Sequence, residues 1–315
     1  MLSNSSLRLW TTFKCLDQTA AASPAITMDT KELIQRVRRV ELKTRGLSDR
    51  IFSGEYHSAF KGRGMAFSEN REYQHGDEIR TIDWNVTARM GHPFVKVFEE
   101  ERELTVFLLI DISASNATGS QQRSKHELIT ELSALLAFSA MGNNDKVGAV
   151  LFSDQIELFI PPKKGRSHIL RIIREIIEIN PVGTKTNISF ALEHFMSAMK
   201  KRTIAFLISD FRDEDFEKAL KQAGRRHDLV ALRVTDPLDR KVPAVGWIPI
   251  QDPETGMHRW FNSGNRLSRK KHEVNERKRE ANLKDVFARS GIDQAVLCTN
   301  RPYVQPLMQL FDRRG

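Results

Sequence analysis

Cysteine is nearly absent: the 315 residues hold two, Cys15 and Cys298. Two isolated thiols build neither a disulfide framework nor a zinc site, and they fit a reducing compartment. Long apolar runs are missing too. The longest, such as Leu104 to Ile110, are strand-sized and far short of the roughly 18 residues a membrane span needs. Residues 1–27 carry almost no acids and lack the apolar centre of a secretory signal. Three readings stand for this segment: a transit-type presequence, a disordered extension, and a start codon placed ahead of a true start at Met28. Its scant amphipathic order favours an extension, residues 1–28, outside the fold.

What is there suffices for a folded core. Hydrophobic residues make up 40% and charged residues 28%, near the globular average. The formal charge of +9 and a pI near 9.6 fit a nucleic acid, an anionic membrane surface or an acidic protein as neighbour, without choosing among them. The positive charge gathers at Arg36-Val-Arg-Arg39 and between Arg266 and Lys284. In the second stretch Arg269, Lys270, Lys271, Arg277, Lys278 and Arg279 alternate with Glu273, Glu276 and Glu280, as on a solvated helix face with i,i+4 pairs. No aromatic side chains stand among these charges to stack on bases, so a nucleic-acid stripe is the weaker reading.

Apolar residues at 33, 34, 37, 40 and 42 have helical spacing, with Asp29 or Thr30 as N-cap and Gly46 as the stop. Residues 50–100 are irregular and punctuated by glycine, which predicts short strands and turns. The block Arg71-Glu72-Tyr73, Gly76-Asp77, Asp83-Trp84 and Arg89 fits a binding surface or a catalytic cluster, but is expected to be a buried Arg–carboxylate network with Trp84 in its core. From residue 104 the rhythm changes. Strands are predicted at 104–110, 146–152, 155–160, 203–209, 228–234 and 294–298, with a hairpin turn at Ser153-Asp154. Helices are predicted at about 125–141, 167–178, 187–199, 213–223, 264–290 and 302–312, and a second hairpin at 247–261 turns at Asp252-Pro-Glu-Thr-Gly256. Wholly apolar strands separated by amphipathic helices indicate an α/β fold with a mainly parallel sheet covered on both faces. The expected organisation is an accessory region at 29–103, an α/β domain at 104–236, and a closing hairpin, helix, strand and helix of the same fold at 237–315.

Ligands of open α/β sheets sit outside the carboxyl ends of the strands. The first apolar run ends in Asp111-Ile-Ser113-Ala-Ser115. Residues two apart on extended chain point the same way, so these three side chains can converge. A carboxylate with two hydroxyls is a hard oxygen set, suited to Mg²⁺ or Mn²⁺ rather than zinc. Thr186, just before a helix, and Asp210, at the end of another apolar run, add more oxygen at the same edge. Alone, Asp-x-Ser-x-Ser also fits an ordinary helix-capping loop.

In this order, Asp111-x-Ser113-x-Ser115, Thr186 and Asp210 resemble the metal-ion-dependent adhesion site of von Willebrand factor A domains. Further segments are similar to the bacterial family called domain of unknown function 58. They are Gly64-x-x-Phe67, Arg71-Glu-Tyr, Gly76-Asp77-x-Ile79-Arg80-x-Ile82-Asp83-Trp84 with Ala88-Arg89, Phe98-Glu-x-Glu-Arg102, Ser124-Lys125, Asp145-Lys-Val-Gly148, Pro161-Pro162 and Ser209-Asp-Phe211. The match spans roughly residues 50–310 and departs at Asn116, where methionine is expected at a position that is not a ligand. The resemblance implies a doubly wound, Rossmann-type sheet of the von Willebrand factor A kind with a smaller N-terminal turn-rich region. It implies one cation, Mg²⁺ with Mn²⁺ or Ca²⁺ as substitutes. Ser113, Ser115 and Thr186 would ligate it, Asp111 and Asp210 would hold its waters, and a partner protein's carboxylate would fill the open position. It also implies a bacterial adaptor or chaperone-like role, working with a MoxR-type AAA+ ATPase in complex assembly, metal insertion or envelope stress; the chain is expected to be non-catalytic and cytoplasmic, with membrane association through partners as the alternative.

Two other classes remain in view. A basic nucleic-acid binder rests on charge alone. A cation-dependent phosphohydrolase would use Asp111 as nucleophile, but such enzymes want a second carboxylate two residues on, where this chain has Ser113. Gly62-x-Gly64 lacks the third glycine of a phosphate loop and follows no strand.

Overall fold

The computed structural model describes residues 34, 35, 37–44, 65–100, 104–113, 119, 120, 123–183, 185–251 and 258–314. In chain order its strands are β1 (Met65–Glu72), β2 (Phe94–Glu100), β3 (Thr105–Asp111), β4 (Gly119–Ser120), β5 (Arg123–Ser124), β6 (Lys146–Phe152), β7 (Ile156–Lys163), β8 (Ile204–Ser209), β9 (Asp228–Thr235), β10 (Trp247–Gln251), β11 (His258–Asn262) and β12 (Asp293–Cys298). The helices are α1 (Trp84–Met90), α2 (Lys125–Gly142), α3 (Arg166–Glu178), α4 (Ile188–Ala198), α5 (Glu217–Arg226), α6 (Pro237–Arg240), α7 (Arg266–Ser290) and α8 (Val304–Asp312). Residues 37–44 are helical as well, as their apolar spacing predicts.

Six strands form the central sheet in the order β12-β9-β8-β3-β6-β7. Every pairing is parallel except β6 with β7, which is the hairpin expected at Ser153-Asp154. Counting only these strands along the chain, the order is 3-2-1-4-5-6, the doubly wound arrangement, with its reversal between β3 and β8. Side chains of β3 alternate between the two faces. Val106, Leu108 and Ile110 join a core with α2, α3 and α8, while Phe107 and Leu109 join another with α4, α5 and α7. Both faces are therefore covered, which is why these strands read as unbroken apolar runs. On β6, Gly148 lets the Phe107 ring come close: a Cβ there would stand 2.7 Å from that ring and 2.9 Å from Pro162. β7 is the outermost strand on its side and carries Pro161, Pro162 and Lys163.

Helix α2 begins where Ser124 predicts. The Ser124 hydroxyl accepts from the Glu127 amide at 3.1 Å, and the Glu127 carboxylate accepts from the Ser124 amide at 3.1 Å, a reciprocal capping box. Helix α5 starts at Glu217, four residues later than the sequence predicts from 213. Asp215 holds a left-handed φ of 60°, and the Asp213 carboxylate is turned to the start of α4, so residues 213–216 stay a loop. The short α6 was not expected; Asp236 and Asp239 form its capping box, with Pro237 at its first position.

The accessory region corrects two expectations. β1 and β2 pair antiparallel, but between them lies a helix, α1, where only strands and turns were expected. Asp83 accepts from the Asn85 and Val86 amides to start it, and Gly91, with φ 78°, ends it in the left-handed conformation glycine tolerates. An Arg–carboxylate pair forms, though not a buried network: the Arg71 guanidinium, 40% exposed, grips Asp77 with two bonds of 2.9 and 2.7 Å. The aromatic core does not, because Trp84 is 66% exposed on the first turn of α1. The second hairpin forms as β10 with β11. Its turn at Asp252–Gly256, residues 1–33, Gly62, Gly64 and Ser115 lie outside the described residues.

Candidate functional site

The strand-order reversal places the carboxyl ends of β3 and β8 side by side, and each ends in aspartate. Asp111 closes β3 and is fully buried. Its Oδ1 accepts from the Ser113 amide at 2.9 Å, which folds the chain back on itself directly after the strand. Its Oδ2 accepts from the Ser209 hydroxyl of β8 at 2.5 Å. Burial, and then the negative charge of Asp210, push the Asp111 carboxyl up to about 6. Ser113 is buried beside it.

Asp210 follows β8 and is held by cations. Its Oδ2 lies 3.3 Å from Lys125 Nζ and 3.5 Å from Arg212 Nε, and its Oδ1 accepts from the Arg212 amide. Lys125, at the first position of α2, is itself buried and also reaches Asp239 Oδ2 at 2.9 Å. Asp239 is bound in turn by Arg212 at 3.1 Å. Phe211, next in sequence, holds a left-handed φ of 55° although bulky and wholly buried. The Ser209 hydroxyl accepts its amide and Arg279 donates to its carbonyl, so the surroundings fix a conformation a phenylalanine seldom takes.

Thr186 stands on the loop before α4. Glu157 accepts the Val182 and Gly183 amides at 3.1 and 2.9 Å and the Ser153 hydroxyl at 2.6 Å. Burial opposes the Glu157 charge, but these three donors, with the Gln155 side-chain amide at 3.4 Å, outweigh it and hold the carboxyl below its usual range. The Asn187 amide then donates to the Ser153 carbonyl at 2.9 Å, and the Ile188 amide donates to Asp213 Oδ2 at 2.7 Å. Ser153 directly follows Phe152, the cross-strand partner of Asp111, so the loop is tied to the same edge of the sheet. The Thr186 side chain is buried and its Oγ1 finds no hydrogen-bond partner among the described residues.

Residues 69–282 match the family described as "Protein of unknown function DUF58". The chain belongs to this family. Among relatives, the uncharacterized protein Rv1480 of Mycobacterium tuberculosis is 31% identical over 238 residues, 75% of each chain. Among solved structures, the chain is similar to the conserved hypothetical protein BatB from Bacteroides thetaiotaomicron, at 16% identity and TM-score 0.43, covering 67% of this chain and 98% of that one. It is also similar to the VWA domain of SpRpn10, at 10% identity and TM-score 0.40, covering 67% and 95%.

In this DUF58 chain the residues expected to surround a cation fall into three groups. Ser113 bonds Asp111 directly, and Asp210 directly follows Ser209, which bonds Asp111 from the adjacent strand. Thr186 is tied to their edge through Ser153. Ser115 lies outside the described residues. Among the described residues no three His, Cys, Asp or Glu side chains gather as a ligand set, so a cation here would depend on hydroxyls as well as carboxylates. The donor chemistry fits one. A buried threonine oxygen without a partner and a buried carboxylate whose ionisation its surroundings oppose are both relieved by a hard divalent ion. Lys125, Arg212, Asp239 and Ser209 were not singled out as site residues from the sequence. Lys125 and Ser209 do stand inside two of the DUF58-like segments, which was their only signal.

Proposed function

We propose that the chain is a non-catalytic adaptor that binds a partner protein through a divalent cation. The cation is Mg²⁺, with Mn²⁺ or Ca²⁺ as substitutes, and its holders are Asp111, Ser113, Ser115, Thr186 and Asp210. The observation that carries this reading is the buried Thr186 hydroxyl, without a partner among the described residues, on the edge that Asp111 and Asp210 share. The ion would supply a Lewis-acidic point for a carboxylate of the partner. Asp210 is already paired with Lys125 and Arg212, which suits contact with the ion through water rather than a direct bond.

The phosphohydrolase alternative loses support here. A carboxylate nucleophile must be within reach of its substrate, yet Asp111 is fully buried and both its oxygens already accept hydrogen bonds. The nucleic-acid alternative also weakens, since part of the basic charge on α7 is already paired within the protein. Arg277 pairs with Glu273, Arg279 with Glu276, and Arg269 binds the Ser263 carbonyl. No helix among the described residues is long and apolar enough to cross a membrane. We place the adaptor in the cytoplasm with a MoxR-type AAA+ ATPase as partner.

The test uses the purified chain and the purified ATPase. Complex formation in Mg²⁺, lost in EDTA and lost in Asp111→Ala, supports the adaptor. Equal binding under all of these conditions overturns the metal grip, and no binding in Mg²⁺ overturns the partner.

A further inference from the structure

Strand β9 reads Asp228-Leu-Val-Ala-Leu-Arg-Val-Thr235, and Arg233 interrupts an apolar run in the interior of a parallel sheet. Its side chain is only 9% exposed. Taking a guanidinium out of water is costly unless it is paired and hydrogen-bonded. Arg233 makes no hydrogen bond among the described residues, its buried Nε has no partner there, and Glu280, the carboxylate paired with it, stands 3.8 Å away, with Glu276 and Asp210 acting from further off. Burial, acting most strongly, and then the neighbouring Arg279 lower the Arg233 pKa from its usual value, against the opposing pull of Glu280, Glu276 and Asp210.

Arg233 lines a cavity of about 370 Å³ at the carboxyl ends of β8, β9 and β12, closed on one side by α6 and α7. That volume is within the range of small-ligand sites. Arg212 and Arg279 line its inner part, and exposed Arg240, Lys241 and Arg301 line its mouth. Six cationic and five carboxylate side chains line it in all, and Lys125, bound behind Asp210 and Asp239, raises the cationic excess to two. An excess of two positive charges suits one phosphate group, which carries about −1.5 to −2 at neutral pH. Forked guanidinium donors are also the side chains best shaped to hold one.

We propose that this cavity binds a phosphate group, free or as the monoester of a small molecule, with the Arg233 guanidinium at its base. The site needs no metal and goes beyond the adaptor reading, although it shares the Asp210 wall with it. A ligand there would sit where the partner-binding edge meets α6 and α7, placing both at one end of the sheet.

Isothermal titration calorimetry in EDTA tests this, with inorganic phosphate and with glycerol 3-phosphate as separate probes at constant ionic strength. Saturable one-site binding of at least one probe is expected. Tighter binding of the monoester identifies a phosphorylated small molecule as the ligand, and binding no tighter than that of phosphate identifies the free ion. Arg233→Met should weaken binding roughly tenfold or more, the loss of one charge-assisted contact. Arg301→Ala, at the exposed mouth, should weaken it less and keeps the test decisive if the buried variant does not fold. Because the titrations are run in EDTA, failure of the metal reading leaves this result untouched. Absence of saturable heat with either probe, or affinities unchanged in every folded arginine variant, overturns the proposal.

Discussion

The Ser209 hydroxyl donates to Asp111 Oδ2 at 2.5 Å and joins two residues 98 positions apart at the ends of adjacent strands. The same oxygen accepts the Phe211 amide, so the carboxylate of β3 and the strained turn after β8 share one hydroxyl. Whatever changes the charge of Asp111 is felt at both strand ends.

The charge of Asp111 sets a pH dependence. Its folded value, about 6, lies above the usual 3.8 because of burial and then Asp210. The stability this carboxyl contributes is therefore complete below about 3.8 and lost as pH rises through about 6. In EDTA at pH 8, Asp111→Asn should stabilise the protein by on the order of 2–3 kcal/mol, with no gain at pH 4. Mg²⁺ should raise the Tm of wild type at pH 8 and not that of the variant. Urea titrations and thermal melts check both, and a variant less stable than wild type at pH 8 contradicts the account.

Thr186→Val separates a metal-ligating hydroxyl from an ordinary buried one. A near-isosteric apolar replacement removes an unsatisfied oxygen, which is neutral or stabilising by about 1 kcal/mol when no partner is lost. In EDTA the variant should melt at or above the wild-type temperature, and in Mg²⁺ it should gain less than wild type. A clear loss of stability in EDTA means the hydroxyl has a partner within the protein.

Lys125→Met leaves Asp210 and Asp239 without their shared ammonium. Breaking a buried pair from one side costs about 3–5 kcal/mol, a large part of a domain's stability. The urea midpoint should fall accordingly. Adding Asp239→Asn should recover part of the loss, whereas strictly additive losses would deny the coupling.

His227 sets the acid limit. It is buried against Phe195, with ring centroids 4.5 Å apart, and neither ring nitrogen has a partner among the described residues. Burial, then Arg226 and Arg202, lower its pKa from 6.5 to about 4. The stability its neutral ring contributes is present above about 6.5 and lost as pH falls through about 4. His227→Leu should move the acid-unfolding midpoint, followed by circular dichroism, to lower pH while changing little above pH 7. An unchanged midpoint assigns acid unfolding to other groups.

Much of the central sheet was legible because its interior strands are apolar on both faces, and each run ends sharply at a polar residue. Asp111 and Asp210 stood out for that reason. Trp84 misled because an aromatic beside an Arg–carboxylate pair looks like a core, and nothing local tells that α1 turns it to solvent. Lys125 was hidden by its position. A lysine opening a charged-to-apolar helix looks solvated, and its partner Asp239 sits in a four-residue helix whose signal is one proline and a capping box. Ion pairs across 85 and more residues leave no periodic trace in sequence.

Strand β7, which bounds the sheet, carries Pro161 and Pro162 in succession, followed by a lysine. Neither proline has an amide hydrogen to offer a newcomer, and Lys163 adds a charge at the rim. Edge-to-edge joining of two such sheets is therefore discouraged on that side. Growth into fibres through this end of the border is hindered by covalent structure, at the two positions where no amide can be donated.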